Sequence, residues 1–129
     1  MNSRHVSVVV RRDPVDVYDY AVDPAHLPDW AHGLADSDVR VEDDALVVDS
    51  PMGRVQIAFV ARNDLGVLDH DVTLPDGTVV TNPLRVLAHP DGAEVVFTVR
   101  QLDLTDHAFE RDAATVLADL ERLRGLLEA

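Results

Sequence analysis

The stretch from 105 to 128, TDHAFERDAATVLADLERLRGLLE, contains the clearest structural pattern in the chain. Thr105 and Asp106 are typical of helix N-termini. Beyond them, apolar side chains recur every three or four residues over about six turns, as one face of an amphipathic helix requires. These apolar residues are Phe109, Ala113, Val116, Leu117, Leu120, Leu123 and Leu127. The opposite face is charged, with Glu110, Arg111, Asp119, Glu121, Arg122 and Glu128. The stretch therefore predicts a long C-terminal helix with one buried face.

Residues 38–102 follow a different pattern, because apolar and polar side chains alternate there with a period of two. The alternation falls into six segments, at 39–41, 46–48, 55–61, 68–74, 78–87 and 95–99. Turn residues separate them, namely Glu42-Asp43-Asp44, Asn63-Asp64 with Gly66, and Pro-Asp-Gly at 75–77 and 90–92. Six consecutive strands joined by tight turns predict an antiparallel meander.

The N-terminal part predicts one more strand and two short helices. Residues 4–11 alternate like a strand. Asp13-Pro14 favours a helix start, and Asp23-Pro24 ends that helix and begins a second one, which stops near Trp30. Gly33 then lets the chain leave the helix. The predicted order is β-α-α-β6-α, in a single α+β domain of residues 1–129.

This order of elements has few packing solutions. A seven-stranded antiparallel sheet has an apolar face that must be covered, and the C-terminal helix is the cover that the sequence provides. A twisted sheet curved around one helix does not seal along its whole length. We therefore expect the helix to fill one end, the short helices to close the other, and an apolar cavity to remain between them.

Two parts of the sequence resemble the START-like, or SRPBCC, superfamily. The first is VVVRRDPVDVYDY at 8–20, followed by Asp23-Pro24 and LPDW at 27–30. The second is NDLGVLDH at 63–70 with NPLR at 82–85 and the C-terminal helix, which is similar to the bacterial polyketide cyclase/dehydrase-like branch. The resemblance covers nearly the whole chain and implies a helix-grip fold, in which a seven-stranded antiparallel curved sheet wraps around the long helix. It says less about activity, because one fold hosts many functions.

Composition narrows the classes of partner. The formal net charge of −13 disfavours binding to nucleic acid or to anionic membrane surfaces. The absence of cysteine excludes disulfides, thiolate metal sites and thiol catalysis. The apolar run 8–10 is too short for a signal peptide or a membrane span, so we expect a cytoplasmic protein. Arginine and aspartate dominate the charged residues, which indicates coding bias, with adaptation to high salt as the alternative.

Two residues are candidates for catalysis. His70 shares strand parity with Leu68 and Val72, so we expect its side chain to face the apolar interior, where it could act as a general acid or base. The alternative is a core histidine held by a neighbouring strand. Arg85 could bind a carboxylate or an enolate oxygen if it faced inward. Its parity is opposite to that of Asn82, so a regular strand directs only one of them into the cavity, although Pro83 favours a bulge.

Two aromatic residues, Tyr18 and Trp30, are predicted near the helical end of the cavity, where they either stack on a planar ligand or plug the core. The complete predicted ligand-binding set is Tyr18, Trp30, Val55, Ile57, Phe59, Leu68, His70, Val72, Asn82, Phe97, Phe109, Val116 and Leu120.

No metal site is predicted, because adjacent residues in Asp69-His70-Asp71 point to opposite faces of a strand. No glycine-rich phosphate loop is present either, and we expect no cofactor.

Three functions are compatible with this pattern. The first hypothesis is a binding protein for a small hydrophobic molecule, aromatic or polyketide-like, held between the sheet and the C-terminal helix. The second is a cofactor-independent cyclase/dehydrase-type enzyme, in which His70 moves the proton and Arg85 steadies oxyanion charge. The third is a protein-interaction or stress-related domain with a filled core. The sequence leaves open whether the protein forms a homodimer.

Overall fold

Two antiparallel sheets and a long C-terminal helix, α3 (Asp106–Glu128), form the body of the protein. The computed structural model describes residues 1–32, 39–42, 45–50 and 53–129. One sheet contains, in spatial order, β1 (Ser3–Val10), β8 (Gly92–Arg100) and β7 (Leu84–His89). The other contains, in spatial order, β2 (Val39–Glu42), β3 (Ala45–Ser50), β4 (Gly53–Phe59), β5 (His70–Thr73) and β6 (Val79–Asn82). The predicted α+β class, antiparallel pairing and C-terminal helix are confirmed.

The prediction of one seven-stranded sheet was wrong, because the described residues form eight strands in sheets of three and five. The segment 78–87, predicted as one strand, is divided by Pro83 into β6 and β7. Proline has no N–H to donate to a strand ladder. The Pro83 carbonyl instead accepts a hydrogen bond from the Thr98 N–H at 2.9 Å. As a result, β6 pairs with β5 and β7 pairs with β8.

The two sheets are joined where residues 66–68 run beside the start of β7. The Leu68 N–H donates to the Leu84 carbonyl at 2.8 Å, and the Val86 N–H donates to the Gly66 carbonyl at 2.8 Å. Val67 and Arg85 form an isolated antiparallel bridge between these two bonds. We call this pairing of 66–68 with 84–86 the seam. The seam therefore pairs the segment that precedes β5 with β7, an edge strand of the three-stranded sheet.

Short helices connect β1 to β2, as predicted. They are α1 (Pro14–Val22), a 3-10 turn (Pro24–His26) and α2 (Leu27–Trp30). The Asp23 carboxylate accepts a hydrogen bond from the Ala25 N–H at 2.9 Å, which explains why Asp23-Pro24 starts a new helical turn. The predicted exit at Gly33 and the hairpin turn at Asp43-Asp44 lie outside the described residues.

Helix α3 begins as predicted, since the Thr105 hydroxyl accepts a hydrogen bond from the Ala108 N–H at 3.1 Å. Its buried side chains include most of the predicted face, namely Phe109, Ala113, Leu120, Leu123 and Leu127. Two assignments were wrong. Leu117 is 42% exposed and Asp119 only 7% exposed. Asp119 lies three residues after Val116 and four before Leu123, so helical geometry directs it to the buried side. None of the described helices is both long and apolar enough to cross a membrane.

Gly66 tests the seam directly. Its φ is +72°, and a Cβ there would lie 2.2 Å from the Val86 carbonyl oxygen, which is backbone and cannot move aside cheaply. We expect Gly66→Ala to lower the free energy of unfolding by about 2–4 kcal/mol, because backbone strain adds to loss of the Val86–Gly66 hydrogen bond. Urea unfolding at equilibrium measures this change.

Gly77 supplies the matched control for this substitution. It also has a positive φ, +88°, but no described heavy atom lies within 4 Å of the position that its Cβ would take. Gly77→Ala should therefore cost only the conformational term, about 1 kcal/mol. Equal losses of unfolding free energy for the two variants would show that the short distance between Gly66 and the Val86 carbonyl adds nothing to the cost of a side chain at Gly66.

Candidate functional site

A pocket of about 440 Å³ lies between α3, the short helix α2 and strands of both sheets. We call it the central pocket. Its apolar lining residues are Leu27, Trp30, Ala31, Phe59, Leu74, Val80, Leu84, Phe97, Val99, Leu102, Leu104, Val116 and Leu120. Its polar lining residues are His70, Asp76, Thr78, Asn82, Arg100, Asp103, Asp112 and Asp119. The described lining is thus mainly apolar, but eight of its 21 residues are polar or charged.

His70 is the most buried polar residue of this lining, with 2% of its surface exposed. Its Nδ1 lies 3.0 Å from the Leu68 carbonyl oxygen, and its ring packs between Phe59 and Phe97, at centroid distances of 4.9 and 5.8 Å. A carbonyl only accepts, so Nδ1 carries the proton of this hydrogen bond. In the neutral ring Nε2 is then an acceptor, and it has no hydrogen-bond partner among the described residues.

Burial also determines the charge of His70. It lowers the pKa of the imidazole from its ordinary value near 6.5, because the protonated ring would lose its hydration. The hydrogen bond to Leu68 and the negative charges of Asp69 and Asp71 oppose this shift without cancelling it. The side chain is consequently a neutral base with one unused nitrogen, as general acid–base chemistry or ligand binding would require.

The predicted aromatic pair is not brought together. Trp30 is 4% exposed and lines the central pocket, and its Nε1 has no hydrogen-bond partner among the described residues. Tyr18 belongs to a separate surface depression. Its hydroxyl accepts a hydrogen bond from the Asn63 N–H at 3.0 Å, and the Arg62 guanidinium lies 5.4 Å from its ring centroid. Tyr18 therefore braces the loop before the seam, and it is not part of the pocket wall.

Asn82 and Arg85 lie on different strands, since Asn82 ends β6 in one sheet and Arg85 belongs to β7 in the other. Asn82 lines the central pocket, whereas Arg85 does not. Arg85 binds Asp69 through two hydrogen bonds, Nε to Oδ1 at 2.9 Å and NH2 to Oδ2 at 2.7 Å, and its side chain is 48% exposed. This fork lowers the pKa of the Asp69 carboxyl, chiefly through the Arg85 hydrogen bond. The sequence left open whether Asn82 or Arg85 faces the cavity; in the structure, Asp69 holds the Arg85 guanidinium on the outer surface.

The remaining predicted residues divide into two groups. Phe59, Phe97, Val116 and Leu120 line the pocket. The second group is buried in the hydrophobic core but does not line the central pocket, and it consists of Val55, Ile57, Leu68, Val72 and Phe109. Phe109 packs at the start of α3 beneath the Arg4 guanidinium, 5.5 Å from the ring centroid. Parity alone identified the inner face, but it did not distinguish pocket wall from filled core.

Several lining residues were missed by the sequence analysis. Four of them have the same strand parity as lining residues that were predicted, so parity alone could have identified them. They are Leu74, Val80, Leu84 and Val99. The loop residues 102–104 carry no periodic signal. That loop is braced by Gln101, whose Nε2 donates to the Leu104 carbonyl at 3.0 Å and to Asp106 at 2.8 Å. Leu102 and Leu104 are partly exposed where they border the pocket.

Carboxylates on α3 give the pocket its electrostatic character. The buried Asp119 is bound by Arg122 at 2.5 Å, one helical turn away. Asp112 is partly exposed, yet desolvation by the surrounding protein raises the pKa of its carboxyl. No cation of the described residues lies within ion-pair distance of Asp112. Across the described residues, no three histidine, aspartate or glutamate side chains are grouped so that they could hold a metal ion.

The sequence of this chain matches no family model and no curated protein. Solved structures nevertheless share its architecture. DynU16, a protein of the dynemicin biosynthetic locus, is 14% identical with a TM-score of 0.77, and the likeness covers 100% of this chain and 48% of that one. The Aha1 dimer of Colwellia psychrerythraea is 14% identical with a TM-score of 0.74, and the likeness covers 99% of this chain and 97% of that one. Ara h 8.0201 is 8% identical with a TM-score of 0.67, and the likeness covers 98% of this chain and 97% of that one.

At these identities the likeness concerns the fold alone. The three structures support an α+β architecture of antiparallel strands with a C-terminal helix, and they are consistent with the helix-grip fold that the resemblance implied. They assign no activity and no ligand to this chain.

The neutral state of His70 predicts a dependence of stability on pH. As the pH falls below about 6.5, the unfolded chain protonates this histidine while the folded chain does not. The free energy of unfolding should therefore fall by up to about 1.4 kcal/mol per pH unit from this group, until its lowered folded pKa is reached. Above pH 6.5 both states are neutral and the contribution is constant.

Urea unfolding of wild type and His70→Phe between about pH 5 and 7.5 measures this effect. The variant should lose less stability on acidification than wild type. The same substitution at the exposed His107 serves as the matched control. Parallel pH profiles for wild type and His70→Phe would show that the pKa of His70 is the same in the folded and unfolded chains.

Proposed function

We propose that this protein binds a small, largely apolar molecule in the central pocket. The observation that carries the proposal is the pocket itself, in which 13 of the 21 described lining residues are apolar and His70 keeps one nitrogen without a protein partner. Ligand sites are usually of this kind, with volumes of roughly 300–1,000 Å³ and a few polar groups that fix orientation.

The fold comparisons add support of a general kind. One structure with the same architecture belongs to the dynemicin biosynthetic locus, which makes an aromatic or polyketide-like ligand a reasonable first choice for testing. The apolar side chains come from both sheets and from α3, so a ligand would be covered on several sides, as burial of apolar surface requires.

An enzymatic function is the second candidate, and it rests on His70 alone. A neutral imidazole with an unused nitrogen in an apolar pocket could transfer a proton to or from a bound molecule. Arg85 does not line the pocket, because Asp69 holds its guanidinium outside, so it adds no support to this function. A catalytic role predicts that His70→Ala abolishes turnover of a bound molecule with little loss of its affinity, whereas a binding role predicts an altered affinity only.

A matched pair of substitutions on α3 tests the location of binding. Val116 lines the pocket, whereas its neighbour Leu117 is 42% exposed and does not. We expect Val116→Phe to occupy part of the pocket and to weaken ligand binding at least about tenfold, while Leu117→Phe leaves it unchanged. The screen is thermal unfolding against small aromatic, polyketide-like and fatty-chain compounds. A ligand at about a hundred times its Kd should raise the midpoint by several degrees.

Trp30 supplies a second readout, because it is the single tryptophan of the chain and lies in the pocket wall. Its emission should change on titration with an active compound in wild type and in Leu117→Phe. Equal affinity of the two α3 variants would place the ligand elsewhere. Absence of any shift across a broad panel would contradict the binding function and favour the protein-interaction alternative.

A further inference from the structure

His70 can offer a ligand a hydrogen-bond acceptor but no donor. The Leu68 carbonyl fixes the proton on Nδ1, so the neutral ring offers only an acceptor at Nε2. A buried acceptor without a partner is costly, and a ligand that donates a hydrogen bond to it removes that cost. At His70, a ligand group that only accepts, such as an ether or carboxylate oxygen, would instead face the Nε2 lone pair, and the buried donor without a partner in the described lining is Trp30 Nε1.

The charges around the pocket also disfavour a carboxylate ligand. Its described lining contains Asp76, Asp103, Asp112 and Asp119, and a single arginine, Arg100. Asp119 is paired with Arg122, whereas Asp112 has no cation within ion-pair distance among the described residues. Arg100 is exposed, and its guanidinium donates to the Ser3 hydroxyl at 2.8 Å. Like charge would therefore repel an anionic ligand, and the net charge of −13 adds to that field.

We propose, on the basis of the proposed binding function, that the central pocket selects an apolar molecule carrying a hydrogen-bond donor, such as an alcohol, a phenol or an amine. The donor binds Nε2 of His70, and the carboxylates of α3 and of the adjacent turns exclude fatty acids and other apolar carboxylates. Selectivity would thus come from two separate elements, a buried acceptor on β5 and an acidic lining that includes α3.

A matched ligand series tests this selectivity. Decanol, methyl decyl ether, decylamine and decanoate share one chain and differ in donor capacity and charge. None of them absorbs where tryptophan does, so Trp30 emission can report all four titrations. We expect decanol and decylamine to bind, and decanoate to bind at least about tenfold more weakly than decanol.

Comparison across variants removes the difference in hydrophobicity between decanol and its ether. The decanol-to-ether affinity ratio should fall about tenfold in His70→Phe, because only the alcohol loses a hydrogen bond. His70→Gln keeps an acceptor oxygen and should retain part of the ratio, which covers the case in which the phenylalanine variant folds poorly. Circular dichroism and the thermal midpoint establish that each variant is folded.

The charge element has its own control. Asp112→Asn should strengthen decanoate binding about threefold or more, since one repulsive carboxylate is neutralised. Glu121→Gln makes the same charge change on the same helix at a residue that pairs with Arg124 and does not line the pocket, so it should leave decanoate binding unchanged. Tight decanoate binding would point to Arg100 as a carboxylate site.

The outcomes are distinguishable. If decanoate binds as tightly as decanol and the decanol-to-ether ratio is the same in wild type and His70→Phe, the donor selectivity is overturned while the binding function stands. If none of the four compounds, including the neutral ether, alters Trp30 emission or the thermal midpoint, the pocket does not bind fatty-chain molecules. Failure of the aromatic panel as well overturns the binding function and the selectivity with it.

Discussion

The seam is the constraint on which the rest of the structure depends. Residues 66–68, which precede β5, pair with β7 through two hydrogen bonds, and this pairing joins a three-stranded and a five-stranded sheet. A side chain at Gly66 would collide with the Val86 carbonyl, so the pairing strongly favours glycine there. The Asn63 side chain stabilises the approach, because its Oδ1 accepts from the N–H groups of Leu65 and Val67 and its Nδ2 donates to the Val67 carbonyl.

The seam also positions the candidate site. His70 follows it by two residues, and the hydrogen bond from Nδ1 to the Leu68 carbonyl ties the imidazole to the seam itself. Asp69, between them, faces outward, where it accepts from the Leu84 N–H and holds Arg85. One short stretch therefore directs a neutral base inward and an ion pair outward, as strand alternation demands. The seam and the His70 side chain are thus both held through Leu68, by its N–H and by its carbonyl respectively.

The sequence was sufficient for the elements whose signals are periodic. The C-terminal helix, the alternating strands and the inward direction of His70 all follow from side-chain period, and the structure has them. It was insufficient where a single residue changes the hydrogen-bond pattern, because Pro83 divides a segment that reads as one strand. It also failed at Asp119, since a carboxylate on a helix predicts exposure unless its pairing with Arg122 is known. Residues of the pocket wall and residues of the filled core follow the same side-chain period. Only the packing in the structure shows that Val116 lines the pocket and that Ile57 lies in the core.

The loop that borders the pocket has a consequence for how this fold can diverge. Leu102 and Leu104 line the pocket, yet each remains about two-fifths exposed, and neither belongs to the buried core or to the seam. Substitutions at such positions usually cost little stability. Natural variation can therefore reshape the mouth of the pocket while the sheet junction is preserved. Proteins with the same architecture and only 8–14% identity can accordingly differ at this loop while the fold is retained.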